Sequence, residues 1–309
     1  MTKKEAIKRW LGAFLPVLTI FKDNLQLDEK ATAANVRALV KRGAKTGNTV
    51  FLAVGAGGEF PVMSVDERKA AAEAIVDAAG GEVPVIVGCQ DNSTAVSVEL
   101  ARYAAEIGAE GIQMSPTNYY HPSDEDVYRH IKAVNDSADI GIMVYNTWWH
   151  GYEIPIDLME RLVRLRNVVS IKWSSASPYT YRAGYGRFSH RVAMVDNYGM
   201  PVTAHLYGAA GFITHLANFW PESDWRLWRL CEEGRHAEAQ KHASSVNEAW
   251  YGFRVKMGGV TGGEANVVKA ALDLCGMKGG PVRPPTQDMK AAHRKELKAL
   301  LTKIGAPVK

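Results

Sequence analysis

Two residues in this sequence are of a type and at a spacing that suit covalent chemistry on a carbonyl compound. Lys172 lies in the run Val168-Val169-Ser170-Ile171-Lys172-Trp173, and Tyr145 closes the run Gly141-Ile142-Met143-Val144-Tyr145 about one βα unit earlier. A continuous Val/Ile run reads as a strand buried on both faces, as in a parallel sheet covered by helices. Taking an ammonium out of water is costly, so a lysine held there tends to give up its proton and become a nucleophilic amine, the group that forms a Schiff base. The alternative is that Lys172 snorkels at the strand end or pairs with a carboxylate. A phenol on the neighbouring strand would move protons for such an amine.

Other polar or glycine-rich stretches follow apolar runs in the same way. Gly55-Ala56-Gly57-Gly58-Glu59-Phe60 lacks the third glycine of a dinucleotide fingerprint and has no Walker lysine. It is either a tight turn or a place where the Gly57 and Gly58 N–H groups approach a small anion such as a carboxylate. Ser115-Pro116-Thr117-Asn118-Tyr119-Tyr120-His121-Pro122 offers Tyr119 or Tyr120 as a phenol, against simple aromatic packing. Trp148-Trp149-His150 after Tyr145 would form an apolar wall with His150 as acid, base or carboxylate partner, or as a loop histidine without a role. Asn197 in Asp196-Asn197-Tyr198 and the stretch Thr214 to Asn218 are further candidates for polar contacts to a substrate.

The elements that must position these residues are eight short apolar runs: Ala13 to Phe21, Asn48 to Val54, Val83 to Gly88, Gly111 to Ser115, Gly141 to Asn146, Val168 to Trp173, Arg191 to Asp196 and Gly211 to Ala217. Amphipathic stretches separate them: Glu29 to Gly47, Ser64 to Ala79 with a Ser64/Glu67 capping box, Ser93 to Ile107 and Ser123 to Asp136. The alternation predicts a (β/α)8 TIM barrel over 1–221. A carboxyl-terminal helical appendage is expected over 222–309, with helices at Asp224 to Glu233, His236 to Lys256, Glu264 to Leu274 and Asp288 to Ile304. In such a barrel, function sits at the carboxyl ends of the strands, where all these candidates fall.

Composition narrows the class. Hydrophobic content of 47%, charged content of 23% and a formal net charge of +4 are ordinary for a globular chain. The basic surplus lies near the two ends of the chain, with no interleaved aromatics, which argues against nucleic acid or a membrane as partner. Three cysteines, none in a C-x-x-C spacing, argue for a reducing compartment and against a structural zinc site or disulfide frame. The charged stretch Met1 to Trp10 has no apolar segment after it, so a cytoplasmic protein without a secretory signal is expected.

Taken together the motifs resemble the class I Schiff-base family typified by dihydrodipicolinate synthase and N-acetylneuraminate lyase. The resemblance rests on Gly55 to Glu59 after the second strand, Tyr145-Asn146 after the fifth and Ile171-Lys172 in the sixth, with weaker matches at Leu18 to Phe21, Gly208 to Ile213 and Val282 to Pro285. It implies Lys172 as the Schiff-base former, Tyr145 as acid/base, no added cofactor because the imine on Lys172 supplies the electron sink, and a homo-oligomer, usually a tetramer. The departures also carry information. Where the synthase has two threonines in the glycine turn this chain has Ala56 and Gly57, and where it has an arginine after Tyr-Asn this chain has Trp149-His150-Gly151. Phe60 after Glu59 looks more like the sugar-acid dehydratase branch.

The expected activity is therefore that of a hydro-lyase dehydrating a 2-keto-3-deoxy sugar acid, such as 2-keto-3-deoxyarabonate, to a semialdehyde. A pyruvate-forming aldolase using the same lysine is the alternative within the class. A non-catalytic barrel that binds a keto acid is the alternative outside it. A flavin or nicotinamide enzyme is disfavoured by the lack of a dinucleotide motif.

Overall fold

Alternating strands and helices are what the sequence pattern demands, and a computed structural model describing Met1–Lys309 has them in that order. A short helix α1 (Lys3–Arg9) precedes β1 (Gly12–Pro16), α2 (Glu29–Arg42), β2 (Thr49–Ala53), α3 (Val65–Ala79), β3 (Val85–Gly88), α4 (Thr94–Glu106), β4 (Gly111–Met114) and α5 (Asp124–Ser137). There follow β5 (Gly141–Tyr145), α6 (Ile156–Val163), β6 (Val168–Trp173), α7 (Pro178–Phe188), β7 (Ala193–Asp196), α8 (Pro201–Leu206) and β8 (Gly211–Ile213), then α9 (Pro221–Glu232), α10 (His236–Ser245), α11 (Asn247–Thr261), α12 (Ala265–Leu274) and α13 (Ala291–Ile304). The eight strands close into a parallel barrel in chain order, β1 pairing with β8. The predicted TIM barrel is what the chain forms.

Local chemistry explains where several elements depart from expectation. Pro16 has no N–H to donate to a ladder, and β1 ends there rather than at Phe21. α2 stops at Gly43, whose left-handed φ of 112° lets its N–H reach the carbonyls of Leu39 and Val40. β8 ends at Ile213 because the Thr214 hydroxyl accepts from the Leu216 N–H, and Leu216–Asn218 turn as a 3-10 helix. The stretch His236 to Lys256 is two helices, broken at Val246. There the Ser245 hydroxyl donates to the His242 carbonyl and competes with the helical ladder. The Ser64/Glu67 capping box of α3 is formed on both sides.

The chain divides into two densely packed units. The first comprises Met1–Phe14, Lys45–Leu52 and Gly81–Ile213, and the second Leu15–Ala44, Ala53–Gly80 and Thr214–Lys309. The early helices α2 and α3 thus share a unit with the carboxyl-terminal helices.

In the first unit the barrel interior is apolar at its lower level: Phe14, Val50, Leu52, Ile86, Met143, Val169, Ala193 and Val195 cluster with Ala6 and Trp10 of the α1 segment. Trp10 is fully buried, and a Cβ at Gly111 would lie 2.4 Å from its ring, so a side chain at the start of β4 would expel it. A bulge places Val169 as an extra residue of β6: Ile142 pairs with Val168, Met143 with Ser170 and Tyr145 with Lys172. At the end of β6, Trp173 is fully buried and donates its indole N–H to the Tyr181 carbonyl at 3.0 Å. Gly184 of α7 packs so closely that a Cβ there would sit 2.5 Å from the Trp173 ring. Gly184→Ala is accordingly expected to destabilise by about 1–3 kcal/mol through overpacking, read as a lower chemical-denaturation midpoint; an unchanged midpoint would mean α7 does not seat on Trp173.

The second unit has its own core, built from Leu18, Ile20, Leu216, Phe219, Trp250, Phe253, Met257 and the buried faces of α12 and α13. Asp224 is fully buried there, accepting from the Thr214 hydroxyl at 2.6 Å and the Asn247 amide at 2.9 Å. Burial pushes its carboxyl up to about 6 despite those donors. The folded state then holds a proton that the unfolded chain releases near pH 4, so this group favours folding below pH 4 and loses that contribution as pH rises through about 6. Thermal melts of Asp224→Asn against the parent are expected to shift in the variant's favour by on the order of 2 kcal/mol between pH 4 and pH 7.5. A pH-independent difference would contradict the raised carboxyl.

Candidate active site

The upper level of the barrel interior, at the carboxyl ends of β4 to β6, is where polar side chains enter. Lys172 and Tyr145 face each other across the β5/β6 register, each 8% exposed. The Lys172 Nζ lies over the Tyr145 ring, 4.0 Å from its centroid, so it is the π face of the ring that meets the amine. Nζ donates to the Gln113 side-chain carbonyl at 3.5 Å, and the Gln113 amide nitrogen donates to Gln90 Oε1 at 3.4 Å. Both glutamines are buried. The exposed His150 ring makes a T-shaped contact with the Tyr145 ring at 5.9 Å between centroids.

Asn146, next to Tyr145, holds the strand ends together. Its N–H donates to the Lys172 carbonyl at 2.9 Å, its amide nitrogen to the Ser174 carbonyl at 2.8 Å, and the Ser174 hydroxyl returns a bond to the Asn146 carbonyl at 3.0 Å. The Tyr-Asn pair thus combines a chemical group with a clamp that keeps it in register with the lysine. At the end of β7, Asn197 donates its backbone N–H to the Trp173 carbonyl, while its side-chain nitrogen is buried without a hydrogen-bond partner, a donor available to a ligand. Burial pushes the neighbouring Asp196 carboxyl up; the carboxylate accepts from the Tyr181 hydroxyl at 2.7 Å and from the Tyr198 and Met200 N–H groups.

The paired tyrosines of the β4 loop stand apart from this group. Tyr119 and Tyr120 are 79% and 80% exposed and stack edge-to-face on each other at 5.0 Å, with the Asn118 and Tyr119 N–H groups donating to Asn92. Trp148 and Trp149 also remain partly open, Trp148 lying against Tyr198 at 5.3 Å.

The glycine turn belongs to the second unit. The Gly58 N–H donates to the Gly55 carbonyl at 3.0 Å, closing the turn, so its expected use as a carboxylate donor meets a bond already made. A Cβ at Gly58 would fall 3.1 Å from the Val54 backbone, and one at Gly57 would fall 3.0 Å from Pro16 and 3.4 Å from His215 Nε2. Close packing therefore demands both glycines. The turn is flanked by two non-glycine residues at positive φ, Val54 at 53° and Glu59 at 59°, and a β-branched residue there marks local strain. Glu59 is pinned by an ion pair to the buried Lys269 and by the Arg283 N–H at 3.1 Å. Arg283 in turn pairs with Glu67 and donates to the Leu25 and Val62 carbonyls.

Gln113 and Gln90 are site residues that none of the sequence motifs includes. The signal was present: an amide in the middle of Gly111-Ile112-Gln113-Met114 is the same kind of anomaly as a lysine in β6.

A barrel carrying a buried lysine on β6 over a tyrosine on β5 can be compared with known proteins. The model of the dihydrodipicolinate synthetase family matches residues 9–304. The chain belongs to that family. This dihydrodipicolinate synthetase-family protein is 30% identical, over 97% of its length and 98% of the relative's, to the 4-hydroxy-tetrahydrodipicolinate synthase of Afipia carboxidovorans. The crystal structure of dihydrodipicolinate synthase from Aquifex aeolicus superposes with a TM-score of 0.87 at 25% identity, covering 97% of this chain and 99% of that one. The structure of YagE, a prophage protein of the same family from E. coli K12 in complex with pyruvate, gives a TM-score of 0.85 at 27% identity, covering 96% and 99%. The family member described here is a lyase of the class I aldolase type acting on a small molecule. None of its helices is long and apolar enough to cross a membrane.

Proposed function

We propose that the protein is a Schiff-base hydro-lyase that dehydrates a 2-keto-3-deoxy sugar acid, with 2-keto-3-deoxyarabonate as the representative substrate, to a 2-oxo acid semialdehyde. The observation that carries this reading is the Lys172 amine held between the Tyr145 ring and the Gln113 carbonyl at the end of β6. In the proposed reaction the amine attacks C2 of the keto acid, water leaves, and the resulting iminium draws electrons from the C3–H bond. Loss of the C3 proton gives an enamine, which expels the C4 hydroxyl as water after that oxygen is protonated; loss of a C5 proton then gives a conjugated enol, C3 and C4 each take up a proton as the C5 hydroxyl gives up its own to become the aldehyde, and hydrolysis of the imine frees Lys172 and the semialdehyde. No separate cofactor is needed, because the imine is the electron sink. Tyr145 handles the proton at the carbinolamine and imine stages, and His150, against its ring, serves the departing hydroxyl. The open Asn197 donor suits a substrate oxygen.

Two departures separate this reading from the synthase activity that the curated relatives' names carry. Ala56 and Gly57 offer no hydroxyl in the glycine turn, and Trp149-His150-Gly151 offers no arginine for a second carboxylate. Three buried free thiols, Cys89, Cys231 and Cys275, support a cytoplasmic setting, and the family resemblance supports a homotetramer. A pyruvate-forming aldolase is the second reading, favoured by the pyruvate complex of YagE. The test is product analysis with 2-keto-3-deoxyarabonate. The dehydratase yields the five-carbon semialdehyde, whereas stoichiometric pyruvate would reject it in favour of the aldolase. No turnover and no covalent adduct with a keto acid would leave a binding protein.

A further inference from the structure

Burying two primary amides at the upper level of the barrel is costly unless they are used. Each must be stripped of water, and an aliphatic side chain of similar volume would fill the same space without that penalty. Gln113 is 4% exposed and Gln90 is 5% exposed. Gln113 sits on β4 beside Met143 of β5, which pairs in turn with Ser170 of β6, so it is two strands from Lys172 and one level below it. Gln90 follows β3, two residues past its end.

The two amides form a directed chain. Gln90 Oε1 accepts from the Gln113 amide nitrogen, which turns the Gln113 carbonyl toward Lys172 Nζ. The reverse orientation of Gln113 would set oxygen against oxygen at one end and N–H against N–H at the other. Separations of 3.4 and 3.5 Å are at the long end for hydrogen bonds and leave room to tighten around a reacting nitrogen.

We infer that Gln113 is a further catalytic residue, its side-chain carbonyl holding the Lys172 N–H from free amine through carbinolamine to iminium, and that Gln90 is the positioning residue that fixes its polarity. The inference rests on the Schiff-base reading above and deepens it. When Nζ bonds to C2, one amine proton passes to the carbonyl oxygen. A second proton, from Tyr145, lets that oxygen leave as water. The remaining proton stays on nitrogen as the iminium N–H⁺, and Gln113 Oε1 accepts a hydrogen bond from it. A bond to that proton sets the plane of the C=N group and with it which C3–H bond lies parallel to the π system. The acceptor has to be neutral. A carboxylate at the same place would hold Lys172 as an ammonium and deprive the reaction of its nucleophile.

The titratable groups on the strands flanking Lys172 are Tyr145 on β5, with His150 against it, and Asp196 on β7, whose carboxylate is engaged by Tyr181, Tyr198 and Met200. Introducing a carboxylate at 113 therefore gives a readable change.

The experiment is cyanoborohydride trapping of pyruvate on the full-length protein, followed by intact-mass spectrometry as a function of pH, for the parent and for Gln113→Glu, Gln113→Met and Gln90→Met. Gln113→Glu is expected to raise the midpoint pH of trapping by about 1–3 units. Gln113→Met is expected to slow trapping roughly 10-fold or more, and Gln90→Met to slow it less, as loss of a hydrogen bond to a charged group and of its support would. Parental rates and pH profiles in the Gln113 variants would overturn the inference while the parent's adduct upholds the Schiff base. If circular dichroism shows the Gln113 variants unfolded, Gln90→Met decides alone, and a parental rate there overturns the inference. A parent that forms no adduct removes both readings.

Discussion

Replacing Lys172 with Met is expected to abolish the borohydride-trapped pyruvate adduct and to lower turnover of a 2-keto-3-deoxy acid by roughly 10⁴-fold or more, with the fold retained. Methionine keeps the unbranched stem that fills the space beside the Tyr145 ring and loses only the amine, so the change isolates the chemistry from the packing. Tyr145→Phe supplies the contrast. It keeps the ring face under Nζ and removes the hydroxyl, so the adduct still forms on Lys172, more slowly, while turnover falls by about 10²–10⁴-fold. The measurement is peptide mass spectrometry of the trapped protein beside steady-state kinetics. An adduct that survives in Lys172→Met, or appears on another lysine, would move the reactive amine elsewhere.

The second large effect is expected in the second unit. Lys269, 1% exposed, and Glu59, 7% exposed, form a buried ion pair in which Lys269 also donates to the Pro281 carbonyl at 2.8 Å and lies over the Phe21 ring at 4.5 Å. Burial pushes the Lys269 ammonium down, and Glu59 pulls it back. Removing one member strands the other charge without water, so Lys269→Met is expected to cost about 3–5 kcal/mol. That corresponds to a fall in Tm on the order of 10 °C. Because much of that loss is the orphaned carboxylate, adding Glu59→Gln to Lys269→Met should restore part of it, giving a favourable coupling in a double-mutant cycle. Calorimetric melts of the parent, both single variants and the double variant measure this. A Lys269→Met variant within about 1 kcal/mol of the parent would show that the pair is not sequestered.

These two sites differ in how far their sequence announced them. A charged residue inside Val168 to Trp173 conflicts with the burial that the same run implies, and that conflict alone singles out Lys172. Tyr145 was legible by its place at the end of the preceding strand. The network of Lys269, Glu59, Arg283 and Glu67 left no such mark, because its members come from three distant stretches and each looks ordinary where it stands. Gln113 is harder to see for a milder reason: a neutral amide interrupts a strand pattern less visibly than a charge does.

Hydrophobic alternation, glycine placement and cap residues are local quantities, and from them this chain's sequence determined the order and kind of its strands, the capping box of α3 and the lysine that does not belong in its strand. Barrel closure, strand register and loop path are collective, and the tertiary structure alone decided what they bring together. The extra residue at Val169 lets Lys172 meet Tyr145 across the ladder. The Gly58 N–H closes its own turn, Tyr119 and Tyr120 stand in solvent, and Gln90 after β3 reaches the amine on β6 through Gln113 on β4. Such convergence depends on distances between elements far apart in the chain, which no periodicity within a single element encodes.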